Sequence, residues 1–122
     1  SSGNVAQYSA LNVFKHIQYF DKIVQEYEKN LKLVESELSR FNKICFKKPK
    51  GAFYFYINIS QLGMGSIELS EKILLETGVV LTPGIDFDKK NGSNYIRLAF
   101  SGNTKVVEQG VKRLTSWLLK NH

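Results

Sequence analysis

Cysteine occurs once in these 122 residues, tryptophan once, and proline and histidine twice each. A lone cysteine excludes an internal disulfide and any cysteine-based metal cluster. Set between Ile44 and Phe46, Cys45 reads as a small buried apolar side chain. A free thiol fits a reducing cytoplasm, which is the expected location. No apolar run approaches the roughly 20 residues that span a bilayer, so no membrane partner is expected. No charged, apolar, small-residue leader opens the chain. His16 falls on an amphipathic stretch without an acidic residue at helical spacing, and His122 is the last residue, so histidine catalysis is not expected. Acid is the scarcer charge, with 11 Asp and Glu against 17 Lys and Arg. The resulting +6 is scattered: Lys47, Lys48 and Lys50 flank Pro49, Lys89 and Lys90 share a loop, and the rest alternate with Glu. Such a surplus describes a solvated surface rather than a nucleic-acid face.

What is present is enough for one domain with a modest core. Val5 to Phe41 reads as helix with a bend near Lys15–Phe20, because Phe20, Val24, Tyr27, Leu31, Val34, Leu38 and Phe41 recur every three or four residues. Gly51 to Ile59 is aromatic and β-branched and predicts a strand buried on both faces. Ser66 is the expected cap of a helix that turns Leu69, Ile73 and Leu74 inward and stops at Gly78. Val79 to Thr82 predicts a short strand ended by Pro83-Gly84, and the polar loop Asp86–Asn94 can join it to a third strand, Tyr95 to Phe100. Asn103-Thr104 opens a last helix with Val107, Val111, Leu114 and Leu118 inward and Trp117 beside them. The expected fold is α+β: a helical segment over 1–46, then β-α-β-β-α over 47–122, with a small, mainly antiparallel three-stranded sheet covered by helices.

Arg97 is the chemically distinctive residue. It interrupts the apolar strand Tyr95-Ile96-Arg97-Leu98-Ala99-Phe100, and alternation puts Tyr95 and Ala99 on its face. Two readings stand open from the strand alone. The guanidinium either reaches water from an edge strand, or it holds an anion, since a buried unpaired charge is costly and arginine grips carboxylates in a bidentate fork.

Four segments in register bear on that choice: Gln7-Tyr8-Ser9-Ala10-Leu11, Pro49-Lys50-Gly51-Ala52-Phe53-Tyr54, the run Leu75 to Gly84 with the turn Thr82-Pro83-Gly84-Ile85-Asp86-Phe87, and Tyr95-Ile96-Arg97-Leu98. In this order they resemble the C-terminal small domain of class I/II (fold-type I) pyridoxal-phosphate-dependent aminotransferases of the aspartate aminotransferase kind. The resemblance implies that Arg97 binds the substrate α-carboxylate. It also implies amino-acid and α-keto-acid substrates, pyridoxal 5′-phosphate as cofactor, a large cofactor-binding domain in the same polypeptide, and a homodimer at full length. The Phe20–Phe41 stripe would then be the arm between the two domains. Asp88 departs from the glycine common in the family after the P-G-x-x-F phenylalanine.

The rest of that chemistry is absent from this sequence. The family's Ser-x-Ser-Lys segment has no counterpart, and Leu62-Gly63-Met64-Gly65-Ser66 lacks the third glycine of a phosphate cradle. No catalytic, cofactor-binding or metal-binding residue is therefore expected here, and the chain alone should be inactive. Asp86, Asp88 and Asn91 do not have the spacing of a calcium loop. Two rival readings remain. One is a non-catalytic structural or dimerisation domain of the same fold. The other is an RNA-binding α/β module, suggested by Lys50-Gly51-Ala52-Phe53-Tyr54-Phe55-Tyr56; against it, aromatics occupy both faces of that strand and Val79–Thr82 supplies none.

Overall fold

The structure is a computed structural model that describes residues 10–122, with side chains from residue 13 onward. The expected helix start at Val5 and the Gln7–Ser9 part of the N-terminal motif lie outside the described residues. The described elements are α1 (Ala10–Leu38), β1 (Cys45–Phe46), β2 (Tyr54–Asn58), α2 (Ser66–Thr77), β3 (Thr82–Pro83), β4 (Tyr95–Ala99) and α3 (Thr104–Asn121). The sheet runs β1-β2-β4-β3, antiparallel throughout.

This is the expected α+β architecture with one strand more. Cys45 and Phe46 pair with Asn58 and Ile57, a two-residue strand too short to carry a periodic signal. Cys45 is exposed, not buried, because its pairing with Asn58 puts it on the uncovered face, whereas Phe46, paired with Ile57, packs against the core. The strand around Phe55 also differs from expectation. It is shorter, and it alternates, with Phe55 and Ile57 buried while Tyr54 is exposed and Tyr56 and Asn58 are half-buried. Among the described residues, helices cover one face of the sheet, and the aromatics at even positions are left exposed or half-buried on the other. The strand expected over Val79 to Thr82 is instead Thr82–Pro83: residues 79–81 lie outside it, and Pro83, expected to end it, pairs with Ile96 on the edge, where a proline is tolerated.

The covered face builds the core. Phe55, Ile57, Ile96 and Leu98 meet Val34 and Leu38 of α1, Leu69 and Ile73 of α2, and Val111, Leu114 and Leu118 of α3. Asn30 of α1, also buried, donates its amide to the carbonyls of Phe100 (3.0 Å) and Gly102 (2.9 Å), while the Tyr27 hydroxyl donates to the Ala52 carbonyl (2.8 Å). The helix is thereby tied to the end of β4 and to the turn before β2. Trp117, buried beside the α3 stripe as expected, donates its indole N–H to Glu76 and joins α3 to α2.

The α1 stripe divides in two. Leu31, Val34, Leu38 and Phe41 are buried, but Phe20 is 65% exposed and Phe14, Ile17, Ile23 and Val24 are also open. The helix is uninterrupted through the bend expected near Lys15–Phe20 and ends at Leu38, three residues earlier than expected. At its base Glu37 is buried and paired with Arg40 at 2.6 Å. In α2, Gly65 takes the cap position expected for Ser66, Leu74 faces outward, and Gly78 closes the helix in the left-handed region at φ 77°. In α3, the Asn103 side chain caps the helix by accepting from the Lys105 and Val106 amides.

Candidate functional site

Strand alternation decides where Arg97 points. Ile96 and Leu98 enter the core, so Arg97, with Tyr95 and Ala99, takes the uncovered face. The antiparallel register sets Tyr56 of β2 opposite Arg97 on one side and Thr82 of β3 opposite it on the other. Arg97 is thus in the inner strand pair, half-buried, and not at an edge as one sequence reading had it.

Its surroundings are aromatic. The guanidinium carbon stands 4.8 Å from the centroid of the Tyr54 ring and 5.0 Å from that of Phe87, over both ring faces. Tyr56 packs 5.3 Å from Phe87 and stacks on Tyr95 at 4.4 Å with planes 4° apart. Among the described residues, the ion pairs join Arg40 to Glu37 and Lys112 to Glu108, and no carboxylate or carbonyl takes a hydrogen bond from Arg97. The rings hold the cation through their quadrupoles and leave its N–H donors free.

The loop that delivers Phe87 is built for that placement. The Gly84 carbonyl accepts from the Phe87 and Asp88 amides at 3.1 and 2.9 Å. The Asp88 carboxylate accepts from the Lys90 and Asn91 amides, both at 3.1 Å, and its carbonyl accepts from Gly92 at 2.8 Å. Asp88 therefore folds the loop; among the described residues, no group of acidic, cysteine and histidine side chains is gathered to hold a metal. Burial first, then the charge of Asp88, then Tyr95 and Tyr54, push the Tyr56 hydroxyl above its ordinary pKa.

Beside the arginine, Cys45, Phe46, Lys47, Tyr56, Asn58 and Tyr95 line an open cleft of about 490 Å³. Asn58 and the Tyr95 hydroxyl stand 3.4 Å apart across it. Sequence reasoning identified Arg97 and the face it shares with Tyr95, but missed Tyr54, Tyr56 and Phe87. The even-numbered alternation of Tyr54 and Tyr56 was the available signal; the pairing of β2 with β4, which brings them to Arg97, was not readable. That pairing also removes one argument against RNA binding. The strand beside β2 is β4, and Tyr54, Tyr56 and Tyr95 do share one face, although they are engaged with one another, with Phe87 and with Arg97.

A small antiparallel sheet covered on one face by helices, with a free guanidinium among aromatic rings on the other, is the architecture to be matched. Residues 1–114 match the family described as aminotransferase class I and II, and the chain belongs to that family. It is 34% identical over 98 residues to a valine–pyruvate aminotransferase of Mycobacterium tuberculosis, covering 80% of this chain and 25% of that protein. Its fold is similar to that of an aromatic aminotransferase from Pyrococcus horikoshii, with a TM-score of 0.78 and 29% identity over 87% of this chain and 28% of the other. The fold is also shared with an α-aminoadipate aminotransferase, LysN, of Thermus thermophilus (TM-score 0.71, 21% identity, 86% of this chain and 28% of that one), crystallised in complex with N-(5′-phosphopyridoxyl)-L-leucine. The chain spans about a quarter to a third of the length of the curated relatives it matches. Among the described residues, no helix is long and apolar enough to cross a membrane.

The residues on the open face do not fit the family's cofactor. A pyridoxal phosphate site needs an amine to condense with the aldehyde, an acid for the ring nitrogen and donors for the phosphate. Around Arg97 stand tyrosines, Phe87, Asn58, Thr82 and Ala99, whose hydroxyl and amide groups are donors, but the acid and the amine fail: Asp88 is committed to its own loop, and Lys47 is exposed at the cleft rim.

Proposed function

We propose that this chain is the C-terminal, substrate-carboxylate-binding domain of a longer pyridoxal-phosphate-dependent aminotransferase, and that Arg97 is the residue that binds. In this reading residues 1–46 form the arm toward the large domain and residues 47–122 the small domain. The large domain carries the cofactor and its lysine, and the full-length enzyme is a cytoplasmic homodimer. An amino acid and an α-keto acid both present an α-carboxylate, so one fixed guanidinium serves both halves of an amino-group exchange. A two-point grip on that carboxylate orients the Cα–H bond for proton removal, which is a positioning role.

The observation that carries this reading is the free N–H edge of Arg97: a half-buried guanidinium on an open sheet face, without an anion among the described residues. Support comes also from the exposed apolar half of α1, whose Phe14, Ile17 and Phe20 suit a surface covered by more protein.

Replacing Arg97 by lysine in the longer enzyme tests it. The fork becomes a point charge, and KM for the amino donor and the keto acceptor should both rise, roughly ten- to a hundredfold. Unchanged KM for both removes Arg97 from the site. The 122-residue chain supplied with pyridoxal phosphate should not transaminate; turnover by it would refute the division of labour between domains.

A further inference from the structure

We infer that Phe87 and Tyr54 are positioning residues that clamp the Arg97 guanidinium in its binding orientation, an inference that rests on Arg97 being the carboxylate-binding residue. The two rings come from separate elements, Tyr54 from β2 and Phe87 from the loop after β3, and converge on one cation at 4.8 and 5.0 Å. Both distances are inside the roughly 6 Å within which a ring face attracts a guanidinium.

Neither ring is explained by core packing. Phe87 is 47% exposed and Tyr54 38% exposed, and both stand outside the buried cluster. The aromatic and cationic neighbours of Phe87 are Arg97 and Tyr56. A large apolar ring held at the surface against a cation gains little from burial; what it does is restrict the cation. Arginine carries considerable rotamer freedom, and binding a carboxylate in a fork forfeits it. Rings placed over the guanidinium carbon remove that freedom beforehand. Because a π face attracts without accepting an in-plane N–H, the donors remain available for an anion.

The loop geometry serves the same end. Hydrogen bonds to the Gly84 carbonyl and the Asp88 carboxylate shape the turn around Phe87, and Tyr56, stacked on Tyr95, backs the ring at 5.3 Å. Asp88 therefore acts on the site through the loop rather than as a ligand.

The test uses the longer enzyme carrying Phe87→Leu, Tyr54→Leu, Phe87→Tyr and Arg97→Lys. Leucine keeps apolar bulk and removes the quadrupole. Each leucine variant should raise KM for the amino donor and the keto acceptor alike, roughly two- to tenfold, with kcat within about twofold of the parent. Phe87→Tyr, which keeps the ring, should restore the parental KM. A second readout needs no substrate: the Nε–Hε resonance of Arg97, assigned by its loss in Arg97→Lys, should move in Phe87→Leu as the Phe87 part of its ring-current shift is lost and the Tyr54 part remains. The clamp is overturned if Phe87→Leu leaves KM unchanged where Arg97→Lys raises it, or if that resonance is the same in parent and variant. If Arg97→Lys itself leaves KM unchanged, the carboxylate reading fails, and with it the positioning role.

Discussion

Gly84 and Gly92 meet backbone to backbone at the root of the loop that carries Phe87. A methyl group on Gly92 would lie 2.3 Å from the Gly84 carbonyl carbon, and one on Gly84 would lie 2.5 Å from the Gly92 carbonyl oxygen. These atoms are main chain in a hydrogen-bonded turn and cannot swing aside as a flexible side chain would. Gly92→Ala should therefore destabilise the chain by roughly 1–3 kcal/mol, the usual cost of overpacking. Gly110, inside α3, has open space at its Cβ, and Gly110→Ala should stabilise by about 0.5–1 kcal/mol through helix propensity. Urea midpoints of the two variants should move in opposite directions. A Gly92→Ala chain as stable as the parent would show that the turn relaxes freely.

Tyr56 gives the same face a signature in alkaline solution. Its hydroxyl is raised from the ordinary value by burial first and by Asp88 next; Tyr95 and Tyr54 add to the shift, while Arg97 opposite and Lys47 at the cleft rim are the nearby cations. With the folded pKa above the unfolded one, the folded chain keeps a proton that the unfolded chain gives up. The stability from keeping Tyr56 neutral is whole below about pH 10 and is lost as pH rises through the folded pKa. Tyr56→Phe lacks that loss. Urea unfolding of parent and variant from about pH 8 to pH 11 should show the parent falling relative to Tyr56→Phe above about pH 10. Curves that stay parallel would mean Tyr56 ionises alike in both states.

How far this site was readable follows from the kind of information each part needs. Arg97 and its sharing a face with Tyr95 come from period-two alternation, which is local. The helix end at Gly78, the α3 stripe and the loop joining β3 to β4 are local as well. What escaped depends on which strand lies beside which. Tyr54 and Tyr56 reach the arginine because β4 inserts between β2 and β3, a crossover that no local pattern encodes. Burial of β2 on both faces was expected from its composition, yet aromatic side chains suit an open functional face as well as a core. Cys45 was misplaced for a related reason: apolar neighbours suggest burial, but pairing with Asn58 turns its side chain to the uncovered face while Phe46 beside it turns to the core.

The α1 stripe is the instance in which one periodic pattern has two physical fates. Phe20 and Leu38 belong to the same heptad-like series, yet Phe20 is 65% exposed and Leu38 is fully buried. Sequence periodicity reports which side of a helix is apolar, not how far the remainder of the fold extends along it. From Leu31 onward the stripe joins the buried cluster; before Tyr27, Phe20 and Val24 stand outside it and are exposed. In the 122-residue chain, Leu38→Ala should cost about 2–5 kcal/mol, the transfer term plus the cavity left in the buried cluster. Phe20→Ala should change stability by no more than about 0.5 kcal/mol, because the ring it removes is mostly in water. Chemical denaturation at low protein concentration, where association is suppressed, separates the two. A large loss at Phe20 under those conditions would mean that the first half of α1 is packed within the single chain after all, and the surface assigned above to the large domain would have to be withdrawn.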